Sequence, residues 1–316
     1  MAITQINLDT GALTALAHDA ARPIATDSIV WLDVHAPSED DLQWLARVYQ
    51  FHPLAIEDCR NFEQRAKVDT YDDYLFISID QVTRANGDLA AQELETFLGS
   101  DFLITVHREP ITALTTMRGR CAKDNRTGNY RADFLFYQIA DRMVDDLFPL
   151  LDLIEDEIDD LEDTILAQPT QAALHRVFEL KRQLVFLRKI IGPMRDAMDV
   201  LADMRYEIIS EHTALYFRDI YDHLVRIYDL IETSRDLLSN ALDAYLSTVS
   251  NRMNEVMKRL TLFATIFMPI SFLVGFGGMN FTHIPFDNPL ALAGMLGLIL
   301  AFPTTMLLYY RRKGWL

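Results

Sequence analysis

The sequence predicts an α+β soluble domain, an α/β sandwich carrying long helices, that leads into two membrane-spanning helices at the C-terminal end. Three observations carry this prediction. Leu260–Phe276 is 17 residues without a charge and Leu290–Tyr310 is 21 more. About 17–25 apolar residues span a bilayer core of roughly 30 Å as a helix. A helical pattern that begins near Thr213 meets no breaker before Pro269, so Ser210–Gly275 forms one helix of about 66 residues, roughly 100 Å long. The first 125 residues instead break into short β-branched and aromatic runs separated by turn signals.

In order along the chain, residues 1–125 form the α/β part. Ile29–Val34, Tyr74–Ile79 and Phe102–Val106 are its predicted strands, and Asn86-Gly87 is a turn that joins two of them. Ser38-Glu39-Asp40-Asp41 ahead of Leu42, Trp44, Leu45 and Val48 marks a helix start, with an N-cap and acids in the first turn. Residues 126–209 form an acidic/basic helical hairpin. Its first helix spaces Phe134, Ile139, Met143, Leu147, Leu150, Ile154, Ile158, Leu161 and Ile165 helically and runs to the breaker Gln168-Pro169-Thr170. Its second, from about Gln171 to Tyr206, carries Lys181, Arg182, Arg188 and Lys189, and Pro193 kinks it. Asp141–Asp163 holds eleven acids and one base. These acids either form a solvated face paired with the bases of the second helix or concentrate cations. Residues 210–276 are a stalk continuing into the membrane (about 257–276), 277–288 an external loop, 289–310 the second span and 311–316 a basic tail.

Composition excludes several functions. The chain has 46 acids against 29 Lys and Arg, a net charge of −17, whereas nucleic-acid binding requires clustered basic residues. Cys59 and Cys121 have neither disulfide-framework nor zinc-site spacing. There is no GxGxxG, P-loop, GxSxG or HExxH, and no nucleophile–base pairing, so no enzyme is predicted. The N-terminal MAITQINLDTG lacks the basic and apolar regions of a cleaved signal peptide. Lys258 and Arg259 precede the first span and Arg311, Arg312 and Lys313 follow the second, while Met279–Asn288 has no Lys or Arg. The positive-inside rule therefore puts both termini in the cytosol of a multi-pass protein of the cytoplasmic membrane.

One face of the long helix is unusual. Steps of four and three residues give Asp243, Ser247, Ser250, Asn254, Met257, Thr261, Ala264, Met268, Ser271 and Gly275. A coiled-coil seam carries Leu or Ile at such positions. Two readings remain open: close packing of membrane helices through small residues, or a polar face lining a water-filled lumen between copies of the chain.

These features sit among runs that resemble the CorA magnesium transport family. The runs are Gly278-Met279-Asn280-Phe281 between the two spans, the end Arg312-Lys313-Gly314-Trp315-Leu316, His52-Pro53-Leu54 through Glu57-Asp58, Tyr216-Phe217-Arg218-Asp219 with Tyr221-Asp222-His223, Asn254-Glu255-Val256-Met257-Lys258, and Thr265-Ile266-Phe267-Met268-Pro269. The likeness extends from about Trp31 to the C-terminus. It implies a funnel-shaped homopentamer in the membrane lipid, with first spans lining one central pore for Mg²⁺ and, as further candidates, Co²⁺ or Ni²⁺. By position it implies Gly278, Met279 and Asn280 as the external filter. Asn254, Met257, Leu260, Met268, Ser271 and Gly275 would line the pore, with Asp243 at its cytosolic widening, although Leu260 falls one step off the stripe above. It implies a regulatory Mg²⁺ sensor between subunits from Glu57, Asp58, Asp141, Asp145, Asp219 and Asp222, and a cytosolic basic collar from Lys258, Arg311, Arg312 and Lys313. The chain departs from the family at Gly277, where an aromatic residue is usual, and at His283-Ile284-Pro285-Phe286-Asp287, which leaves one acid in the external loop. A zinc transporter of the related branch would carry Ile in place of Met279, and a non-conducting coiled-coil sensor would carry a leucine-rich seam.

Overall fold

The computed structural model describes residues 3–8, 12–23, 29–62, 64–85, 87–121, 131–203, 205–279 and 289–315. The chain divides into two compact units, Met1–Thr164 with Thr170–Ala241, and Ile165–Pro169 with Leu242–Leu316.

The first unit is built on a seven-stranded sheet of order β2-β1-β3-β7-β6-β5-β4. Its strands are β1 Ile3–Ile6, β2 Leu13–Ala15, β3 Val30–His35, β4 Lys67–Thr70, β5 Tyr74–Ala85, β6 Asp88–Gly99 and β7 Phe102–His107. Only β3 and β7 pair in parallel among the described strands. Both lie almost wholly buried, with Val30, Leu32, Val34, Phe102, Ile104 and Val106 forming an apolar face and Asp33, Thr105 and His107 buried on the other. The turn between β5 and β6 includes Gly87 at φ +91°, a left-handed conformation that favours glycine; Asn86 lies outside the described residues.

α1 (Glu39–Tyr49) and α2 (Pro53–Asn61) close over Val30, Leu32, Val34, Phe76, Phe97, Ile104 and Val106 of the sheet through Leu42, Trp44, Leu45, Ala55, Ile56 and Cys59. The expected cap at Ser38 is a full capping box: the Asp41 N–H donates to the Ser38 hydroxyl and Asp41 accepts the Ser38 N–H. α3 (Thr112–Cys121) leads to α4 (Ala132–Asp145), which packs on β5, β6 and β7. α3 is tied to the sheet by a buried network in which Asp33 accepts from Arg118 at 2.7 Å and from Thr105 at 2.8 Å and meets His107 at 3.1 Å. Burial would raise the Asp33 pKa, but His107, Arg118 and Thr105 outweigh it and hold it low.

The single helix expected from Arg131 to Ala167 is two, α4 and α5 (Leu147–Ala167), separated at Asp146. Pro149 is the reason. It has no N–H to donate back and its ring clashes with the preceding turn, so it is tolerated in the first turn of a new helix and not in the interior of a longer one. Thr170 caps α6 (Gln171–Ala202) by accepting the Ala173 N–H at 3.1 Å. The expected pairing of the acidic helix with the bases of α6 is limited. Glu157 binds Arg176, while Arg188 pairs instead with Glu232 of α7 at 2.9 Å. α7 runs Glu211–Gly277, 67 residues, and starts where the Ser210 hydroxyl accepts the Thr213 N–H at 3.2 Å and Asp133 of α4 accepts the Ser210 N–H at 2.8 Å.

In the second unit, the end of α7 packs against α8 (Pro289–Arg312). Thr265 and Tyr310 share a hydrogen bond of 2.9 Å, and a Cβ at Gly277 would collide with the Met295 thioether methyl. Gly277 thus faces the second span at close range, where the resemblance led one to expect an aromatic ring.

Candidate functional site

Two groups of side chains carry the chemistry. The first is in the soluble unit. Asp141 and Asp145 are four residues apart on α4 and so share one helix face. His223 stands four residues after Asp219 on α7, by the same rule. The fold brings ligand atoms of Asp141, Asp145 and His223 within 4.8 Å of one another. Burial raises the Asp141 pKa, with Asp145 and Asp219 adding like charge and His223 and Arg120 opposing them. Burial also pushes Tyr137, one turn earlier on α4, up to about 12, with Asp141, Asp219 and Asp145 contributing. The Tyr137 and Tyr216 rings lie 4.8 Å apart above this group. His223 meets the Phe148 ring edge-on at 5.8 Å, and its buried Nδ1 has no hydrogen-bond partner.

The arrangement is two carboxylates and an imidazole nitrogen with a third carboxylate, Asp219, in Coulombic reach. That donor set fits a divalent cation: carboxylates satisfy Mg²⁺, and an added nitrogen favours Co²⁺ or Ni²⁺. His223 entered the sequence reading only within the run Tyr221-Asp222-His223, not as a ligand. The signal that finds it is the four-residue step from Asp219. Asp222 is exposed and does not join the group. Nor do Glu57 and Asp58 within one chain. Asp58 accepts from Lys67 at 2.7 Å, and Glu57 lies exposed beside it on α2. Partial burial opposes the Lys67 charge, but Asp58 and Asp69 outweigh it and hold its pKa high.

The second group lies on the end of α7. α8 covers the face that carries Lys258, Leu262, Ile266, Pro269, Leu273 and Gly277, the positions with reduced exposure. At 3.6 residues per turn, Met257, Leu260, Met268, Ser271 and Gly275 fall roughly 180° away from Leu262. All five are exposed, as are Asp243 and Asn254. Leu260, one step off the expected stripe, sits on the same uncovered face and is 62% exposed. α7 closes with the Gly278 N–H donating to the Val274 carbonyl at 3.0 Å and the Met279 N–H to the Phe276 carbonyl at 3.3 Å. Asn280, the third member of the expected filter, lies outside the described residues, as does Leu316 of the tail.

The collar is asymmetric. Lys258 donates to the Gly314 carbonyl at 3.5 Å and lies 5.7 Å from the Trp315 ring, which stacks on Tyr310 at 5.5 Å. Gly314 takes φ +69°, so the Trp315 N–H reaches back to the Tyr310 carbonyl at 2.9 Å and ends α8. Among the described residues Arg311, Arg312 and Lys313 form no ion pair.

An α+β unit with a divalent-cation donor set, and a two-helix unit able to span a membrane with one face of α7 left uncovered by α8, define the class: a membrane protein that handles divalent cations. The family described as CorA-like Mg²⁺ transporter protein matches residues 26–312, and the chain belongs to that family. It is 38% identical over 296 residues to the cobalt/magnesium transport protein CorA of Thermotoga maritima, covering 90% of this chain and 83% of that protein. Its fold is similar to the complete structure of the CorA magnesium transporter from Methanocaldococcus jannaschii, with a TM-score of 0.86 at 21% identity over 100% of this chain and 99% of that one. The full-length CmaX protein is similar at a TM-score of 0.79 and 22% identity, over 99% of this chain and 97% of that one.

Proposed function

We propose that this chain is one subunit of a homopentameric divalent-cation channel that takes up Mg²⁺, with Co²⁺ and Ni²⁺ as further candidate ions, across the cytoplasmic membrane. The observation that carries the reading is the α7 face opposite α8, where Met257, Leu260, Met268, Ser271 and Gly275 stand uncovered at membrane depth, with Asn254 exposed just before the span. Polar groups there need either protein or water, and a shared aqueous lumen supplies the water.

In this mechanism Asn280, with the backbone of Gly278 and Met279, forms the outer ring. Mg²⁺ sheds water reluctantly, so amide and carbonyl oxygens hold the hydrated ion through its water shell. Met257, Leu260 and Met268 are apolar constrictions that close by excluding water. No covalent bond is made or broken, and the driving force is the membrane potential, about 4.6 kcal/mol per 100 mV for a divalent ion. Asp141 and Asp145, with His223 beside them and Asp219 in Coulombic reach, form one side of the intracellular sensor, with the exposed Asp222 outside that group. Glu57 and Asp58 on α2 act from a neighbouring subunit. Carboxylates brought together repel unless a cation bridges them, so high cytosolic Mg²⁺ holds the subunits closed and low Mg²⁺ releases them.

The test is flux in vesicles reconstituted with the full chain. Asn280→Ala abolishes Mg²⁺ uptake while the pentamer persists on size-exclusion chromatography; unchanged flux sinks the filter assignment. Zinc-only flux by the unaltered protein moves the reading to the related zinc branch. Absence of flux for any divalent ion leaves the non-conducting sensor.

A further inference from the structure

The face of α8 turned away from α7 carries a groove of about 560 Å³ lined by Thr304, Leu307, Leu308 and Arg311. Those positions step by three, one and three residues, so the groove follows the helix axis and ends at a guanidinium. Its wall is apolar in effect, because the Thr304 hydroxyl is already spent on the Leu300 carbonyl at 2.7 Å. Arg311, Arg312 and Lys313 stand exposed at the groove's end. Lys258 is engaged with Gly314 and Trp315 and Arg259 with Glu255, but these three have no carboxylate partner among the described residues. An apolar groove ending in exposed cations that have no carboxylate partner among the described residues is complementary to an apolar chain with an anionic head.

We propose that this groove binds one anionic phospholipid, its acyl chain along Leu308, Leu307 and Thr304 and its headgroup phosphate on Arg311 and Arg312. The inference rests on α8 spanning the membrane with its last turn at the cytosolic surface. A guanidinium suits a phosphodiester because its planar fork donates two parallel hydrogen bonds. Lys313 adds to the positive field around the phosphate. The site fixes the depth of α8, and through the Thr265–Tyr310 hydrogen bond it fixes the helix α8 packs against.

The three tryptophans provide the probe. Trp31 and Trp44 are 0% and 1% exposed in the soluble unit, whereas Trp315 is 44% exposed beside the collar. The full chain is reconstituted in phosphatidylcholine vesicles containing equal fractions of either brominated phosphatidylglycerol or brominated phosphatidylcholine, and Trp315 quenching is measured, with Trp315→Phe supplying the background. The expected result is phosphatidylglycerol bound more tightly by roughly five-fold for each engaged basic residue. The preference falls by roughly five-fold for each base removed in the Arg311→Gln/Arg312→Gln double variant and survives in Arg311→Lys. Equal quenching by both lipids in the unaltered chain, or an unchanged preference in the double variant, overturns the lipid site. No quenching by either lipid overturns the membrane placement itself. Neither outcome depends on ion flux, so the lipid site and the channel reading fail separately.

Discussion

If the soluble group binds a cation as proposed, His223 sets which kind it prefers. Without it the site is all oxygen, suited to Mg²⁺; with it, one donor is an imidazole nitrogen, which gains more with Co²⁺ or Ni²⁺. His223→Ala therefore raises the Co²⁺ concentration needed to protect the full-length protein from limited proteolysis on the order of 10-fold. The Mg²⁺ requirement moves much less; equal shifts for both ions would leave His223 outside the ligand set. A second residue-scale consequence comes from the sheet. Burial, with Glu93 and Asp58 adding to it against the Ser78 hydrogen bond and Lys67, pushes Glu95 up to about 8. Burial and the cross-strand neighbour Glu93 push Asp80 up to about 7. Both acids hold protons in the folded chain that the unfolded chain releases near pH 4, so stability falls as pH rises from there to about 8 and then levels. Glu95→Gln keeps the shape of the protonated form and removes part of that slope. Its thermal midpoint in detergent then exceeds the unaltered protein's at pH 8 and matches it near pH 5. A midpoint gap that does not change with pH would show that Glu95 is ionised throughout.

At the scale of elements, legibility followed length and breakers. The 67-residue α7 was readable because nothing in its sequence interrupts a helix, and Pro269 lies where the membrane supplies no competing solvent. The division at Asp146 was missed because a strong apolar period ran straight through Pro149. β1, β2 and β4 were missed for the opposite reason: they are 4, 3 and 4 residues long, too short for an alternation to register, and β4 reads Lys-Val-Asp-Thr. β6, 12 residues long, was missed because Ala90, Ala91 and three acids break up its pattern, so the turn at Gly87 joins β5 to β6 and not two of the predicted strands. β5 was seen only as far as Ile79 because its continuation, Asp80–Ala85, is polar and is held in place by pairing with β6. The acids of the candidate site came from the family resemblance; spacing alone left the acidic stretch Asp141–Asp163 open between a solvated face and a cation site. Their meeting at His223 was legible in neither, since it depends on how α4 packs against α7. The two faces of α7 now make opposite predictions. Leu260→Asn, on the uncovered face, wets an apolar constriction and raises Mg²⁺ flux. Leu262→Ser, two residues on but buried at 7% exposure against α8, weakens packing and lowers the yield of assembled protein without raising flux. Vesicle flux and size-exclusion profiles of the two variants check this, and equal effects would mean that the pore does not run along that face.

For the whole molecule, the soluble and membrane units have to be coupled for the acids to matter to conduction. A ligand shifts a two-state assembly only by the difference in its affinity for the two states, typically 1–3 kcal/mol of coupling. With Asp141, Asp145 and Asp219 gathered, that difference has a physical source. Burial raises the Asp141 pKa, with Asp145 and Asp219 adding like charge, so an ionised empty site is disfavoured and a bound cation would relieve it. Removing internal Mg²⁺ with a chelator should therefore raise the initial rate of Mg²⁺ entry into vesicles by on the order of 10-fold at a fixed inside-negative potential. In Asp141→Asn/Asp145→Asn the ligands and the repulsion disappear together, so entry loses its dependence on internal Mg²⁺ while keeping its dependence on potential. A rate still governed by internal Mg²⁺ in that variant would place the sensor elsewhere, and a rate indifferent to potential would remove the electrical driving force from the mechanism.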